Sequence, residues 1–103
     1  MKKVLVLLFA FALIAQAQNW TSVTTGLSGN IWGIDYADAN NVWICDGSGV
    51  ARSTNGGLTW IPAGNAGDGA YSVAAISANT AIVALGPSSG DGKILRTTDG
   101  GTT

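Results

Sequence analysis

The chain has 103 residues, 11% of them charged, with a formal net charge of -1, no histidine and one cysteine. That length holds one small domain, and the near-neutral charge removes the basic footprint that a nucleic-acid binder needs. The missing histidine and single cysteine exclude a disulfide framework, a Cys/His zinc site and any Ser-His-Asp or Cys-His catalytic unit.

From the N-terminus, Lys2 and Lys3 precede a 12-residue apolar run at 4–15, and Ala15-Gln16-Ala17 offers small residues where a signal peptidase reads. The run falls short of the about 20 residues that span a bilayer. A secretory signal over 1–17 is therefore expected, with Gln18 as the new N-terminus and no stable membrane insertion after cleavage. The short two-lysine leader is of bacterial type, which implies a secreted, periplasmic or cell-surface protein. Removing it leaves Lys93, Arg52 and Arg96 against six aspartates, a charge of -3. All 15 glycines remain, and glutamate is absent.

The remaining 18–103 is rich in Gly, Ser, Thr, Asn, Val, Ile and Trp, a composition that disfavours helices and suits strands joined by tight turns. Strands are expected at 20–24, 31–36, 41–45, 50–53, 59–61, 71–76, 81–85 and 93–97, each bounded by Gly, Asn, Asp or Pro. The fold class is all-β.

These strands repeat. Arg52-Ser53-Thr54-Asn55-Gly56-Gly57-Leu58-Thr59-Trp60 recurs as Arg96-Thr97-Thr98-Asp99-Gly100-Gly101-Thr102-Thr103, with Asn55 and Asp99 44 residues apart. Upstream, 49–51 matches 93–95, 40–47 matches 79–86, and 31–36 matches 71–76. In this alignment Trp32 falls opposite Ser72, Tyr36 opposite Ile76, Trp43 opposite Ile82 and Cys45 opposite Ala84. Several short strands in a unit of about 40–45 residues are the signature of a propeller blade. The expectation is a ring-closing strand at 20–24, one four-stranded blade at 31–61 and most of a second at 71–103. Trp20 lies 40 residues before Trp60, in the register of the Trp that ends the motif. With under two blades, the chain is expected to be the N-terminal part of a longer ring.

The repeated motif is Ser53-x-Asn55-x-Gly57-x-Thr59-Trp60 and Thr97-x-Asp99-x-Gly101-x-Thr103. Asn or Asp at a turn accepts backbone N–H groups just downstream. Glycine supplies positive φ, and the aromatic can pack back over its own hairpin. At these residues the chain resembles the Asp-box (BNR) repeat β-propellers, most closely the photosystem II assembly/stability factor type and its secreted bacterial relatives. The resemblance implies that each box joins the third and fourth strands of a blade. It also implies a non-catalytic interaction or scaffold module with a protein or glycan partner.

Asp boxes also occur in sialidases and xyloglucan hydrolases, so the alternative is the N-terminal part of a glycoside hydrolase with its catalytic residues elsewhere. Such enzymes need paired acids, and sialidases add an arginine cluster and a Tyr/Glu pair. Here there is no glutamate, and the two mature arginines sit at equivalent repeat positions. Arg52 and Arg96 read as third-strand blade residues and Tyr36 as a packing residue. Asp35, Asp38, Asp46, Asp68 and Asp91 read as turn or solvated aspartates. The turns lack the oxygen ligands of a calcium loop, and no phosphate loop follows the Gly-Ser-Gly or Gly-Asp-Gly runs. Cys45 reads as a buried free thiol, Trp43 as packing and Trp32 as the aromatic with the best claim to exposure. Loops 64–70 and 87–92 are the expected partner-binding segments. No catalytic, cofactor-binding or metal residue is assigned.

Overall fold

Short runs of Val, Ile, Trp and Tyr broken by Asn, Asp and Gly leave the backbone little choice beyond strand and tight turn. A computed structural model of the protein describes residues 19–64, 69–86 and 91–102. Among these there are seven strands and no helix. Strands β1 (Gly33–Tyr36), β2 (Val42–Cys45), β3 (Val50–Ser53) and β4 (Ile61–Pro62) form one sheet in chain order. Strands β5 (Ala70–Ala75), β6 (Ala81–Leu85) and β7 (Lys93–Thr97) form a second. Every pairing is antiparallel, as tight-turn connections between consecutive strands require.

Strand alternation gives each sheet two distinct faces. The register Asp35↔Trp43↔Arg52 and Gly33↔Cys45↔Val50 puts these residues on one face of the first sheet, its front. In the second sheet, Val73↔Val83↔Leu95 and Ala75↔Ala81↔Thr97 share one face, its back. The front of the first sheet packs on the back of the second, chiefly through β1 and β2 against β5. Trp43, Cys45, Val50 and Ala63 meet Ala70, Val73, Ala81, Val83 and Leu85 in the core. Gly33 sets how close the sheets come. A Cβ there would lie 2.8 Å from the Cys45 Sγ and 3.3 Å from the Ser72 Cα.

Residues 20–24, expected as a ring-closing strand, lie outside both sheets with Trp20 99% exposed, and none of the described residues runs beside them as the partner such a strand needs. Two sequence expectations change. The strand expected at 59–61 is Ile61–Pro62, because Thr59 and Trp60 belong to the hairpin. The repeat register of the first strand shifts by one residue. Asp35 pairs Trp43 as Ala74 pairs Ile82, so Tyr36 corresponds to Ala75 and Trp32 to Tyr71. Matching by residue type sets this strand one residue out of step with the second strands, whereas the pairing keeps both strands in the same offset. Tyr36, expected to pack, stands exposed on the back of the first sheet.

No helix among the described residues is long and apolar enough to cross a membrane. The expected signal segment 1–17 lies outside the described residues.

Candidate functional site

One hairpin turn follows the third strand of each sheet. In the first, the Ser53 Oγ accepts from the Gly57 amide at 2.8 Å and donates to the Asn55 Oδ1 at 2.9 Å. The Asn55 side chain spans the loop, accepting from the Thr59 amide at 2.9 Å and donating to the Thr59 Oγ1 at 2.7 Å. The Trp60 indole folds back to donate to the Gly57 carbonyl at 3.0 Å. Gly56 and Gly57 take φ of 72° and 91°, values that a side chain would strain. In the second hairpin the Thr97 Oγ1 accepts from the Gly101 amide at 2.9 Å and donates to the Asp99 Oδ1 at 2.8 Å. Gly100 and Gly101 take φ of 73° and 90°. Thr103 lies outside the described residues.

Each hairpin is tied to its own sheet in the same way. The Gly56 amide donates to the Asn40 carbonyl at 2.9 Å, and the Gly100 amide to the Asn79 carbonyl at 2.9 Å. The β1–β2 and β5–β6 turns close alike, through Ala37 to Asn41 and Ile76 to Thr80. These shared bonds put the two hairpin turns and the two first-strand turns on one plan.

Polar groups then join the sheets. The Arg52 Nη1 donates to the Ala78 carbonyl at 3.0 Å and to the Asn79 Oδ1 at 3.1 Å, with the guanidinium 6.0 Å from the Trp43 ring centroid. The same guanidinium fills the space beside Gly100, where a Cβ would lie 2.6 Å from its Cζ. Asp35 accepts from the Tyr36 amide through one oxygen and from the Ala75 amide, in the other sheet, through the other. The Trp43 indole donates to the Ser77 carbonyl at 3.3 Å. Sequence reasoning assigned Arg52 to its strand but missed its reach into the next sheet's hairpin, and it missed Asp35 as a cross-sheet acceptor. Nothing local in either residue's neighbourhood signals a partner about 26–40 positions away.

Asp46 is fully buried and saturated. Its carboxylate accepts from the Ser48 hydroxyl and amide and the Gly49 amide, and its second oxygen accepts from the Gly29 amide at 2.7 Å. Burial pushes the group up, but these bonds outweigh it and hold the carboxyl below its usual value. Asp38 is held low by the Asn41 side chain and the Asn40 and Asn41 amides. Cys45 is buried, and desolvation together with neighbouring Asp46 raises its thiol pKa, which makes it a poor nucleophile.

One aromatic pair is exposed. Trp32 and Tyr71, equivalent positions of the two sheets, stack at 4.7 Å and 11°. Each ring lies on a glycine just beyond a second strand: Trp32 covers Gly47, and Tyr71 covers Gly86 so closely that a Cβ there has no room. This is a shared packing device and leaves ring edges at the surface. A largely apolar gap of about 190 Å³ lies between the sheets, lined by Trp43, Val50, Ala63, Ala81, Val83 and Leu95, with Arg96 and Thr97 also in its wall. No group of three or more His, Cys, Asp or Glu side chains among the described residues is placed to hold a metal ion. Of the expected partner loops, 65–68 and 87–90 lie outside the described residues.

Comparisons with protein-family models, curated protein sequences and solved structures return no match to this chain.

Proposed function

We propose that the two sheets are adjoining blades of an Asp-box β-propeller that serves as an exported, non-catalytic interaction or scaffold module for a protein or glycan partner. The observation that carries this reading is the shared closure of the two hairpins, each made by a Ser or Thr hydroxyl, an Asn or Asp, and two glycines of positive φ. Face-to-face stacking of two meanders with the same strand order supports it. The non-catalytic part rests on where the acids are committed. Asp35, Asp38 and Asp46 each accept backbone amides, and no glutamate is present to complete a glycosidase pair.

The test is an assay of the purified protein on sialosides and xyloglucan, alongside a glycan and protein binding screen. The reading expects selective binding without turnover. Hydrolysis of either substrate would sink it in favour of the glycoside hydrolase alternative.

A further inference from the structure

Asn55 is the one asparagine in the sequence that is followed by glycine. An asparagine carboxamide can be attacked by the backbone nitrogen of the next residue, and a Cβ on that residue crowds the attack. Glycine has none. The other asparagines are followed by Trp, Ile, Asn, Val, Ala and Thr, so ring closure is least hindered at Asn55-Gly56. Both residues are exposed at the hairpin tip, and burial does not shield them from water.

What the fold withholds is movement. Ring closure needs the Asn55 carboxamide to swing onto the Gly56 nitrogen. In the hairpin it is held across the loop instead. Its Oδ1 accepts from the Ser53 hydroxyl and the Thr59 amide, and its Nδ2 donates to the Thr59 Oγ1. The Gly56 N–H is committed as well, donating to the Asn40 carbonyl at 2.9 Å. The hairpin is also the most lightly held part of its sheet. Strand β4 pairs with β3 at two positions, against four in each of the other pairings of that sheet. Both β4 residues are exposed, and such edges open more readily than a core.

We propose that Asn55 is a site of spontaneous deamidation controlled by this hairpin: the closed loop keeps Asn55 intact, and the open loop lets Gly56 attack. In the open loop the Gly56 nitrogen gives its proton to solvent and bonds to the Asn55 Cγ. The Cγ–Nδ2 bond breaks, and Nδ2 takes a proton from solvent and leaves as ammonia. Water then opens the five-membered imide at one of its two carbonyls. Attack at the main-chain carbonyl leaves isoaspartate, and attack at the side-chain carbonyl leaves aspartate. The sum is one water taken up and one ammonia released.

The two products differ on closure. Aspartate fits, because Asp99 fills the same place in the second hairpin and accepts from the Thr97 hydroxyl on its Oδ1. Isoaspartate adds a carbon to the main chain between Ser53 and Gly57, whose bond at 2.8 Å closes the loop.

The experiment incubates the purified protein at mildly alkaline pH, in native buffer and in urea, and follows Asn55 by peptide mass mapping. Conversion is expected to run at least about tenfold slower in native buffer. Thr59→Ala removes a hold on Nδ2, so it speeds the native reaction and leaves the rate in urea unchanged. In the parent, native conversion rises with temperature in step with hydrogen exchange of the Gly56 amide, since both wait on loss of the Asn40 bond. Asn55→Asp folds and melts as the parent does. Equal parent rates in native buffer and urea overturn the proposal, as does conversion that runs ahead of Gly56 exchange. A folded Thr59→Ala that reacts no faster than the parent, or an Asn55→Asp chain that fails to fold, overturns it too.

Discussion

Arg52 on β3 donates to the Asn79 Oδ1 at 3.1 Å, so a strand residue of one sheet anchors the turn from which the next sheet's hairpin is hung. Asn79 in turn receives the Gly100 amide on its carbonyl. The chain Arg52–Asn79–Gly100 carries the position of the first sheet into the motif of the second. The arginine is half-buried over Trp43, so its loss removes both charged hydrogen bonds and packing.

Arg52→Ala is expected to destabilise the protein by about 2–3 kcal/mol, the scale of hydrogen bonds made by a charged group. Arg52→Lys should recover only a part, since an ammonium cannot reproduce the planar contact with Trp43. Urea unfolding followed by tryptophan fluorescence measures both. Equal stabilities of parent and Arg52→Ala would remove the arginine from the account of sheet stacking.

Stability should fall in acid, with Asp46 as a main cause. An unfolded aspartate titrates near about 3.9, and the folded Asp46 carboxyl lies lower. Between those values the unfolded chain binds more protons. The contribution is therefore complete above about pH 5 and is lost as pH falls through 4 toward the folded value. Asp38 shifts in the same direction and adds to the same window. Urea midpoints at neutral pH and at about pH 3 should differ clearly in the parent and less in Asp46→Asn. A parent midpoint that does not move would contradict the assignment.

The motif glycines are not equal. Gly57→Ala forces a positive φ of 91° on a side chain with otherwise ordinary contacts, an expected cost of about 1–2 kcal/mol. At Gly101 the φ is 90°, but a Cβ would also overlap the Ala63 carbonyl. Gly101→Ala should thus cost about 1–3 kcal/mol more, the overpacking penalty. Thermal melts of the two variants decide it, and equal losses would mean that Ala63 does not approach the second hairpin.

Cys45 should be silent in the native state. Its side chain is inaccessible and its thiol pKa is raised by burial. A disulfide reagent is expected to modify it only as the sheets open, and at once in denaturant. Rapid stoichiometric labelling in native buffer would show that the front of the first sheet is uncovered.

Much of this architecture is written in local sequence. Asn55-Gly56-Gly57 and Asp99-Gly100-Gly101 encode their turns through side-chain acceptors and positive φ, and the short apolar runs Val42–Cys45 and Ala81–Leu85 encode buried strands. What local pattern lacks is any record of partners across sheets. Matching by residue type sets Trp32 opposite Ser72, one place out of the register that strand pairing defines, and so hides the Trp32–Tyr71 stack. Asp35 and Asp46 look like ordinary turn aspartates; only the fold brings Ala75 and Gly29 to them. Trp20 and Tyr36 show the converse, apolar residues whose covering surface is not among the described residues.

The central claim is that the two sheets are equivalent units stacked front to back in one register. The most direct measurement is nuclear Overhauser contact between side chains at the seam. The account predicts cross-peaks between the Trp32 and Tyr71 rings, and from the Trp43 indole to the Ser77–Asn79 turn. Intact hairpin signals without those cross-peaks would contradict it, because each sheet would then be folded but not stacked.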